Sequence, residues 1–193
     1  MKFSDMAEEL RLQLENPNSD LESFQDRFEK LVTAEWNLRY NKKFERYLKK
    51  AKLKIPGATF DEKLYDTDRQ LDIPTIEKLN TCIWIDEERN LVVTGMTGTG
   101  KTYYVNALAV AALKQFKEVR YYSASKLLLE LSAHEQVDDS IKFLGIMENI
   151  AQVDLLITDD FGLMNLDVEK YRHLFEILDS REENRQCWFL KSR

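Results

Sequence analysis

Apolar residues in the first part of the chain follow a helical period. Their spacing predicts a helix over Ser4–Glu15, which the following Asn-Pro-Asn sequence should end. Ser19 and Glu22 have the spacing of a capping box and predict the start of a second, long helix. The apolar stripe of this helix consists of Phe24, Phe28, Leu31, Val32, Trp36, Tyr40, Phe44, Tyr47 and Leu48. An Ile-Pro-Gly sequence at residues 55–57 should end it, so this part of the chain is predicted to be all helical.

The rest of the chain alternates between two apolar patterns. Thr59–Gln70 has little periodicity and is predicted to be a linker, and a helix should run from Ile73 to about Ile85. The predicted strands are Leu91–Thr94, Val119–Ser123, Val153–Thr158 and Gln186–Leu190, and the predicted helices are Lys101–Lys114, Lys126–Ser132, Ile141–Ile150 and Val168–Glu183. Alternating strands and helices indicate an α/β fold, with a parallel sheet covered by helices on both faces.

A glycine-rich turn after the first strand carries the main candidate site. Its residues fit the P-loop pattern Gly-x-x-x-x-Gly-Lys-Thr, although a glycine-rich turn can also be purely structural. The expected nucleotide contacts are Gly95, Met96, Thr97, Gly98, Thr99, Gly100, Lys101 and Thr102. The glycines allow backbone N–H groups to point at a phosphate, Lys101 places a positive charge on it, and the Thr102 hydroxyl can bind Mg²⁺. The loop therefore predicts nucleotide binding.

Two adjacent carboxylates follow the third predicted strand. Asp159 and Asp160 come after a buried apolar run, where the carboxyl end of a parallel strand would deliver them to the ligand-binding edge of the sheet. Asp159 is predicted to hold Mg²⁺ together with Thr102, and Asp160 to polarise the attacking water. A pair of aspartates can also cap a helix, but the position after Lys101 favours the functional interpretation.

Basic residues are concentrated near the end of the long helix. Residues 37–54 hold eight lysines and arginines and one acid, a net charge of +7 in a chain whose total is −6. This density favours contact with nucleic-acid phosphates, and a solvated helix face is the alternative. The candidate contacts are Arg39, Lys42, Lys43, Arg46, Lys49 and Lys50. The aromatic stripe of the same helix is interpreted as packing surface.

Composition further limits the class of protein to which the chain can belong. Of the 193 residues, 44% are hydrophobic and 32% are charged, which is typical of a globular chain. No apolar run is long enough for a membrane span, and the first residues lack the apolar region of a signal peptide. Cys82 and Cys187 have no metal-ligating spacing and are interpreted as reduced thiols. These features predict a cytoplasmic location.

The motifs resemble those of one family. Leu79–Thr102, with its Gly-x-Thr-Gly-x-Gly-Lys-Thr loop, is similar to IstB-like ATP-binding proteins, the AAA+ helpers of transposition that are related to the DnaC helicase loaders. Asp154–Leu163 matches the family's second motif, and Trp36 with the following basic helix resembles its N-terminal DNA-binding region. The resemblance implies an AAA+ P-loop ATPase that uses ATP and Mg²⁺, assembles on duplex DNA as a homo-oligomer and assists a partner transposase.

The apolar pattern and the resemblance together predict the division of the chain. Residues 1–57 would form the helical DNA-binding region, 58–72 a linker and 73–193 the ATPase domain. By the resemblance, the strand at Gln186–Leu190 would lie between the strand before the P-loop and the strand bearing Asp159. From their position in the chain alone, Asp66–Leu71 are expected to border the adenine.

The end of the chain departs from the family pattern. Family members end this last strand in Thr-Ser-Gln or Thr-Ser-Asn, which positions water, whereas only Ser192 matches here. Weak ATP hydrolysis is therefore expected, and Arg181 and Arg185 are interpreted as exposed helix residues rather than contacts to a neighbouring nucleotide. Two alternatives stay open: a DnaC-type helicase loader, and a hydrolysis-deficient nucleotide-binding adaptor or remnant.

Overall fold

The computed structural model describes residues 3–60, 72–136, 140–161, 167–183 and 187–192. The chain divides into two compact units, Met1–Arg46 and Tyr47–Arg193. The first unit is helical, and the second contains a parallel sheet with its helices. The domain boundaries after residues 57 and 72 stay predictions.

The first unit begins with helix α1, Ser4–Glu15, as predicted, followed by a 3-10 helix over Pro17–Leu21. Helix α2 spans Phe24–Ala51 and continues into the second unit. The Nε2 group of Gln13 donates to the Arg27 carbonyl over 3.1 Å and joins α1 to α2.

The predicted capping box at the start of α2 is wrong. Ser19 lies within the 3-10 helix, which Pro17 starts. Ser23 takes the capping role instead, because its hydroxyl accepts from the Asp26 backbone N–H over 3.2 Å and donates to the Asp26 carboxylate over 2.7 Å. The same Ser-x-x-acid spacing therefore recurs four residues later in the sequence, immediately before the helix.

The second unit contains the end of α2 and the remaining elements. These are α3 (Ile73–Asn80), α4 (Ile83–Asp86), β1 (Leu91–Val93), α5 (Lys101–Lys114), β2 (Val119–Ser123), α6 (Ala124–Gln136), α7 (Ser140–Gln152), β3 (Leu155–Phe161), α8 (Val168–Glu183) and β4 (Cys187–Ser192).

The single helix predicted from Ile73 to about Ile85 is broken in two. Cys82, between α3 and α4, has a φ of 59°, in the left-handed region. Its side chain is fully buried, and the indole N–H of Trp84 donates to the Leu79 carbonyl over 2.9 Å. Burial of Cys82 and Trp84 thus fixes a tight turn where helical periodicity alone favoured continuation.

The described strands form one parallel sheet in the order β1-β4-β3-β2. The predicted central position of the last strand, between β1 and β3, is confirmed. The start of the β2–β3 pair is held by Asp154, whose Oδ2 accepts from the Glu118 backbone N–H over 2.6 Å. All three strand pairs are parallel, so the carboxyl ends of the strands share one edge.

Two groups of helices pack on this sheet. Helix α5 contacts β2, β4 and α3, and its residues Val105–Val110 are all buried. Helices α6, α7 and α8 pack on one another around a cluster of Leu127, Leu128, Leu131, Ile150, Val153, Leu156 and Ile177. Leu155 and Ile157, which alternate with Leu156 along β3, are fully buried as well.

The interpretation of Arg181 as an exposed residue is wrong. Its side chain is 2% exposed, and its guanidinium donates to the carbonyls of Ile150, Val153 and Asp154 at the end of α7 and before β3. A buried guanidinium that satisfies carbonyls at a helix end has a structural role. Arg185 lies outside the described residues.

Candidate nucleotide-binding site

The P-loop connects the end of β1 to the first turn of α5. Gly98 and Gly100 have φ values of 87° and 85°, a conformation that favours glycine. A Cβ atom at Gly98 would meet nothing within 4 Å, so backbone conformation rather than lack of space requires glycine there. Gly100 directly precedes α5, so the positive end of this helix faces the loop.

Lys101 lies against the loop itself. Its ammonium group donates to the carbonyls of Gly95 and Met96, and the Thr99 hydroxyl donates to the Met96 carbonyl over 2.9 Å. The Met96 side chain is 80% exposed, so this residue contributes to the loop through its backbone. The loop residues predicted from the sequence are therefore together in one turn at the start of α5.

Asn106 is a site residue that the sequence analysis missed. It is fully buried on α5, where its Nδ2 donates to the Thr102 carbonyl over 2.7 Å and its Oδ1 accepts from the Ile55 backbone N–H over 3.0 Å. A polar residue inside the apolar run Val105–Val110 was the available signal. The backbone N–H of Thr59 also donates to the Tyr103 hydroxyl over 3.3 Å. The segment after α2 is thus bonded to the first turns of the P-loop helix.

Asp159 is held in a buried position on β3. Its carboxylate is 1% exposed, Oδ1 accepts from the Asp160 backbone N–H over 2.7 Å, and Oδ2 accepts from the Tyr121 hydroxyl. The Lys54 ammonium lies 3.9 Å from Oδ2. Burial, followed by the hydrogen bond to Asp159, raises the pKa of Tyr121, so its hydroxyl stays protonated and donates.

The two aspartates lie within β3, not after it as predicted. The pairing of β3 with β4 shifts between Thr158 and Phe161, and Asp160 has a φ of 59°. A bulge of this kind turns side chains away from regular alternation. Asp160 is half-buried, whereas Asp159 is buried, so the bulge gives the two carboxylates different environments.

A cavity of about 580 Å³ adjoins the P-loop. Gly98, Thr99 and Lys101 line its polar side, and the apolar wall is formed by Phe60, Ile76, Leu79, Val93, Tyr104 and Leu108. The centroids of the Phe60 and Tyr104 rings lie 6.2 Å apart. The volume and aromatic lining suit a nucleoside. Asp66–Leu71, predicted to border the adenine, lie outside the described residues.

The predicted nucleic-acid residues are all on α2 and all exposed. In the first unit, Arg39, Lys42, Lys43 and Arg46 fall within an arc of about 100° around the helix axis at 3.6 residues per turn.

Arg39 donates to Glu35 over 2.7 Å and lies over the Phe3 ring at 5.2 Å. This hydrogen bond lowers the pKa of Glu35, and the Glu35 carboxylate offsets part of the Arg39 charge. Lys49 and Lys50 belong to the second unit.

The sheet order and the P-loop define the class of protein, and two solved structures share this fold. AMPPCP-bound DnaA from Aquifex aeolicus matches with a TM-score of 0.51 and 19% identity, over 62% of this chain and 37% of the DnaA chain. A DNA replication initiation factor matches with a TM-score of 0.51 and 20% identity, over 72% of this chain and 42% of that chain. The fold is that of an AAA+ P-loop ATPase, as predicted.

Within this class, the chain belongs to the family of IstB-like ATP-binding proteins, whose model matches residues 1–190. A Pseudomonas fluorescens protein, named as an ATP-binding protein of insertion sequence IS1162, is 35% identical over 186 residues, 96% of this chain and 79% of that protein. A protein of Sinorhizobium fredii, also named as an insertion-sequence ATP-binding protein, is 29% identical over 181 residues, 94% of this chain and 72% of that protein. The family predicted from the motifs is confirmed.

In the described part of the chain, no helix combines the length and the apolar composition that a membrane span requires.

Proposed function

We propose that this chain is an ATP-binding helper of insertion-sequence transposition that holds duplex DNA through the basic face of α2 and assists a partner transposase. The observation that carries the ATP-binding part is the glycine-rich turn that places Lys101 and Thr102 at the first turn of α5. The family match and the names of the insertion-sequence relatives support the same conclusion.

The nucleotide would lie on the P-loop with its base in the adjoining cavity. Backbone N–H groups of residues 95–102 and the Lys101 ammonium would bind the phosphates, in exchange for the Gly95 and Met96 carbonyls that Lys101 now contacts. The base would pack on the wall that contains Phe60, Leu79 and Tyr104.

The donor set fits Mg²⁺. The Thr102 hydroxyl and the Asp159 carboxylate are oxygen ligands of the kind that this ion prefers. Asp159 is buried, the neutral Tyr121 hydroxyl and Asp160 N–H bind its oxygens, and the Lys54 ammonium lies 3.9 Å from Oδ2. The bound ion would offset the charge of the phosphates. Asp160, half-buried at the bulge, would orient the attacking water through its carboxylate.

The DNA contact would be electrostatic. Lys42, Lys43 and Arg46 are exposed on one arc of α2, in a segment whose net charge contrasts with that of the chain as a whole. Contacts from such side chains go to phosphates and carry little sequence information. Duplex DNA of unrelated sequences should therefore bind with similar affinity.

The contacts at the end of α2 support a link between DNA and ATP binding. Ile55 and Thr59 follow this helix, and their backbone N–H groups bind Asn106 and Tyr103 of the P-loop helix. A change at the phosphate site would reach the segment after α2 through these bonds. Coupling of this kind is reciprocal, so DNA should also alter the affinity for ATP.

The relatives' names favour transposition over replication. The matches to DnaA and to a DNA replication initiation factor are likenesses of fold at 19% and 20% identity, whereas the more similar relatives are named for insertion sequences. The basic face of α2 further favours contact with DNA over a surface dedicated to docking a helicase.

The DNA-binding part is tested by titrating two labelled duplexes of unrelated sequence with the chain at several salt concentrations. We expect their dissociation constants to agree within about threefold, since phosphate contacts read no sequence. The logarithm of affinity should fall with the logarithm of salt concentration with a slope of about −3, for three phosphate contacts. Affinity that does not change with salt would contradict the proposal.

A further inference from the structure

The neighbouring strands β2 and β3 bring a tyrosine to Asp159. Tyr121 pairs with Ile157 and Ser123 with Asp159, so Tyr121 lies two positions before Asp159 in the register. Because side chains alternate along a strand, Tyr121 and Asp159 share one face of the sheet. The adjacent Tyr122 points to the other face, where it packs against the α6–α8 cluster.

The tyrosine completes the fixation of the Asp159 carboxylate. Its hydroxyl donates to Oδ2, while the Asp160 backbone N–H donates to Oδ1 over 2.7 Å. A donor on each oxygen sets the plane of the carboxylate and restricts both side-chain torsions of Asp159. A carboxylate offers about four acceptor positions, more than these two donors use. The group is thus oriented and still able to bind a cation.

The backbone at Asp159 is paired regularly on one side only. Asp159 pairs in register with Ser123 of β2, whereas the pairing of β3 with β4 shifts between Thr158 and Phe161. The Lys54 ammonium, 3.9 Å from Oδ2, belongs to a side chain that is 57% exposed and imposes no comparable direction. Of these three donors, Tyr121 is the one that comes from a neighbouring regular strand.

We propose that Tyr121 is a positioning residue for the metal-binding carboxylate of Asp159, and that its hydroxyl sets the orientation in which Asp159 binds Mg²⁺ with the nucleotide. This inference rests on the proposed function, because it assumes that Asp159 is a ligand of that ion. Tyr121 acts through Asp159 and makes no contact of its own with the nucleotide in this proposal.

The experiment compares four forms of the full chain: the parent, Tyr121→Phe, Tyr122→Phe and Asp159→Asn. The dissociation constant of a fluorescent ATP analogue is measured for each in EDTA and in excess Mg²⁺. The ratio of the two constants is the gain in affinity that Mg²⁺ provides. Tyr122→Phe is the matched control, since it removes the same hydroxyl from the same strand on the opposite face. Thermal unfolding of each variant reports general damage.

We expect Tyr121→Phe to bind the analogue in EDTA as the parent does. Its gain in affinity from Mg²⁺ should be about tenfold smaller than that of the parent, which corresponds to the free energy of one hydrogen bond to a charged group. Tyr122→Phe should keep the whole gain, and Asp159→Asn should lose it. A structural role alone would weaken binding in both buffers together with thermal stability, and would overturn the inference.

Two further results separate this inference from the proposed function. If Asp159→Asn loses the gain while Tyr121→Phe keeps it, Tyr121 does not position the ligand, and the Mg²⁺ site stands. If Asp159→Asn keeps the gain, Asp159 is not a ligand, and both the metal assignment and the inference fail.

Discussion

Replacing Lys101 with alanine should weaken ATP binding by about 100-fold. This is the combined effect of losing two hydrogen bonds from the ammonium group to phosphate oxygens, at about 1.5 kcal/mol each. The loss follows from the position of the ammonium group at the P-loop, where it lies against the Gly95 and Met96 carbonyls. The measurement is equilibrium titration with a fluorescent ATP analogue.

Lys114→Ala is the matched control for this prediction. It makes the same substitution at the other end of α5, where the side chain is exposed. Its affinity should stay within about twofold of the parent, because an exposed charge far from the phosphates is screened by solvent. Affinity of Lys101→Ala within a few-fold of the parent would overturn the assignment of the P-loop.

Reversing the charges of Lys42, Lys43 and Arg46 to glutamate should remove measurable binding of duplex DNA at moderate salt. At low salt, where residual binding can be titrated, three lost phosphate contacts would reduce the slope of log affinity against log salt by about 2.7, at 0.9 per contact. Repulsion between the introduced carboxylates and the phosphates adds to this loss. Fluorescence anisotropy of a labelled duplex gives both the affinity and the slope.

The control for this experiment is a second triple variant with the same net charge as the first. Lys114, Lys126 and Lys142 are exposed lysines outside α2, and their reversal to glutamate changes the charge of the chain by the same amount. This variant should bind DNA nearly as the parent does, whereas equal losses in the two triple variants would show that overall charge, not the face of α2, attracts DNA.

The sequence predicted much of the second unit, because local signals there agree with the final packing. Three elements have the predicted bounds: helix α5 at Lys101–Lys114, strand β2 at Val119–Ser123 and helix α8 at Val168–Glu183. Apolar runs of the appropriate period mark each of them, and the P-loop pattern fixes the start of α5. The family resemblance supplied the position of β4, which periodicity could not determine.

The errors arise where distant contacts overrule local preference. Cys82 breaks a helix because its burial, together with that of Trp84, stabilises a left-handed turn. Arg181 looks like an exposed helix arginine until α7 and β3 bring carbonyls to it. Neither effect leaves a signature in neighbouring residues.

The contacts of two supporting residues of the candidate site also depend on distant parts of the chain. Asn106 and Tyr121 act through groups 51 and 38 residues away in the chain, Ile55 and Asp159. Their contacts depend on the order of the strands and on the segment that follows α2. The P-loop residues, by contrast, lie in one continuous segment of the chain, residues 95–102.

We expect ATP binding and DNA binding to be coupled, and the affinity of the chain for duplex DNA, measured with and without ATP and Mg²⁺, tests this coupling. The segment after α2, which is bonded to Asn106 and Tyr103 of the P-loop helix, would transmit this coupling. In the parent chain, ATP with Mg²⁺ should raise DNA affinity by about fivefold or more, the lower end of typical coupling energies. In Lys101→Ala it should leave DNA affinity unchanged. Equal DNA affinity of the parent chain with and without the nucleotide would contradict the account.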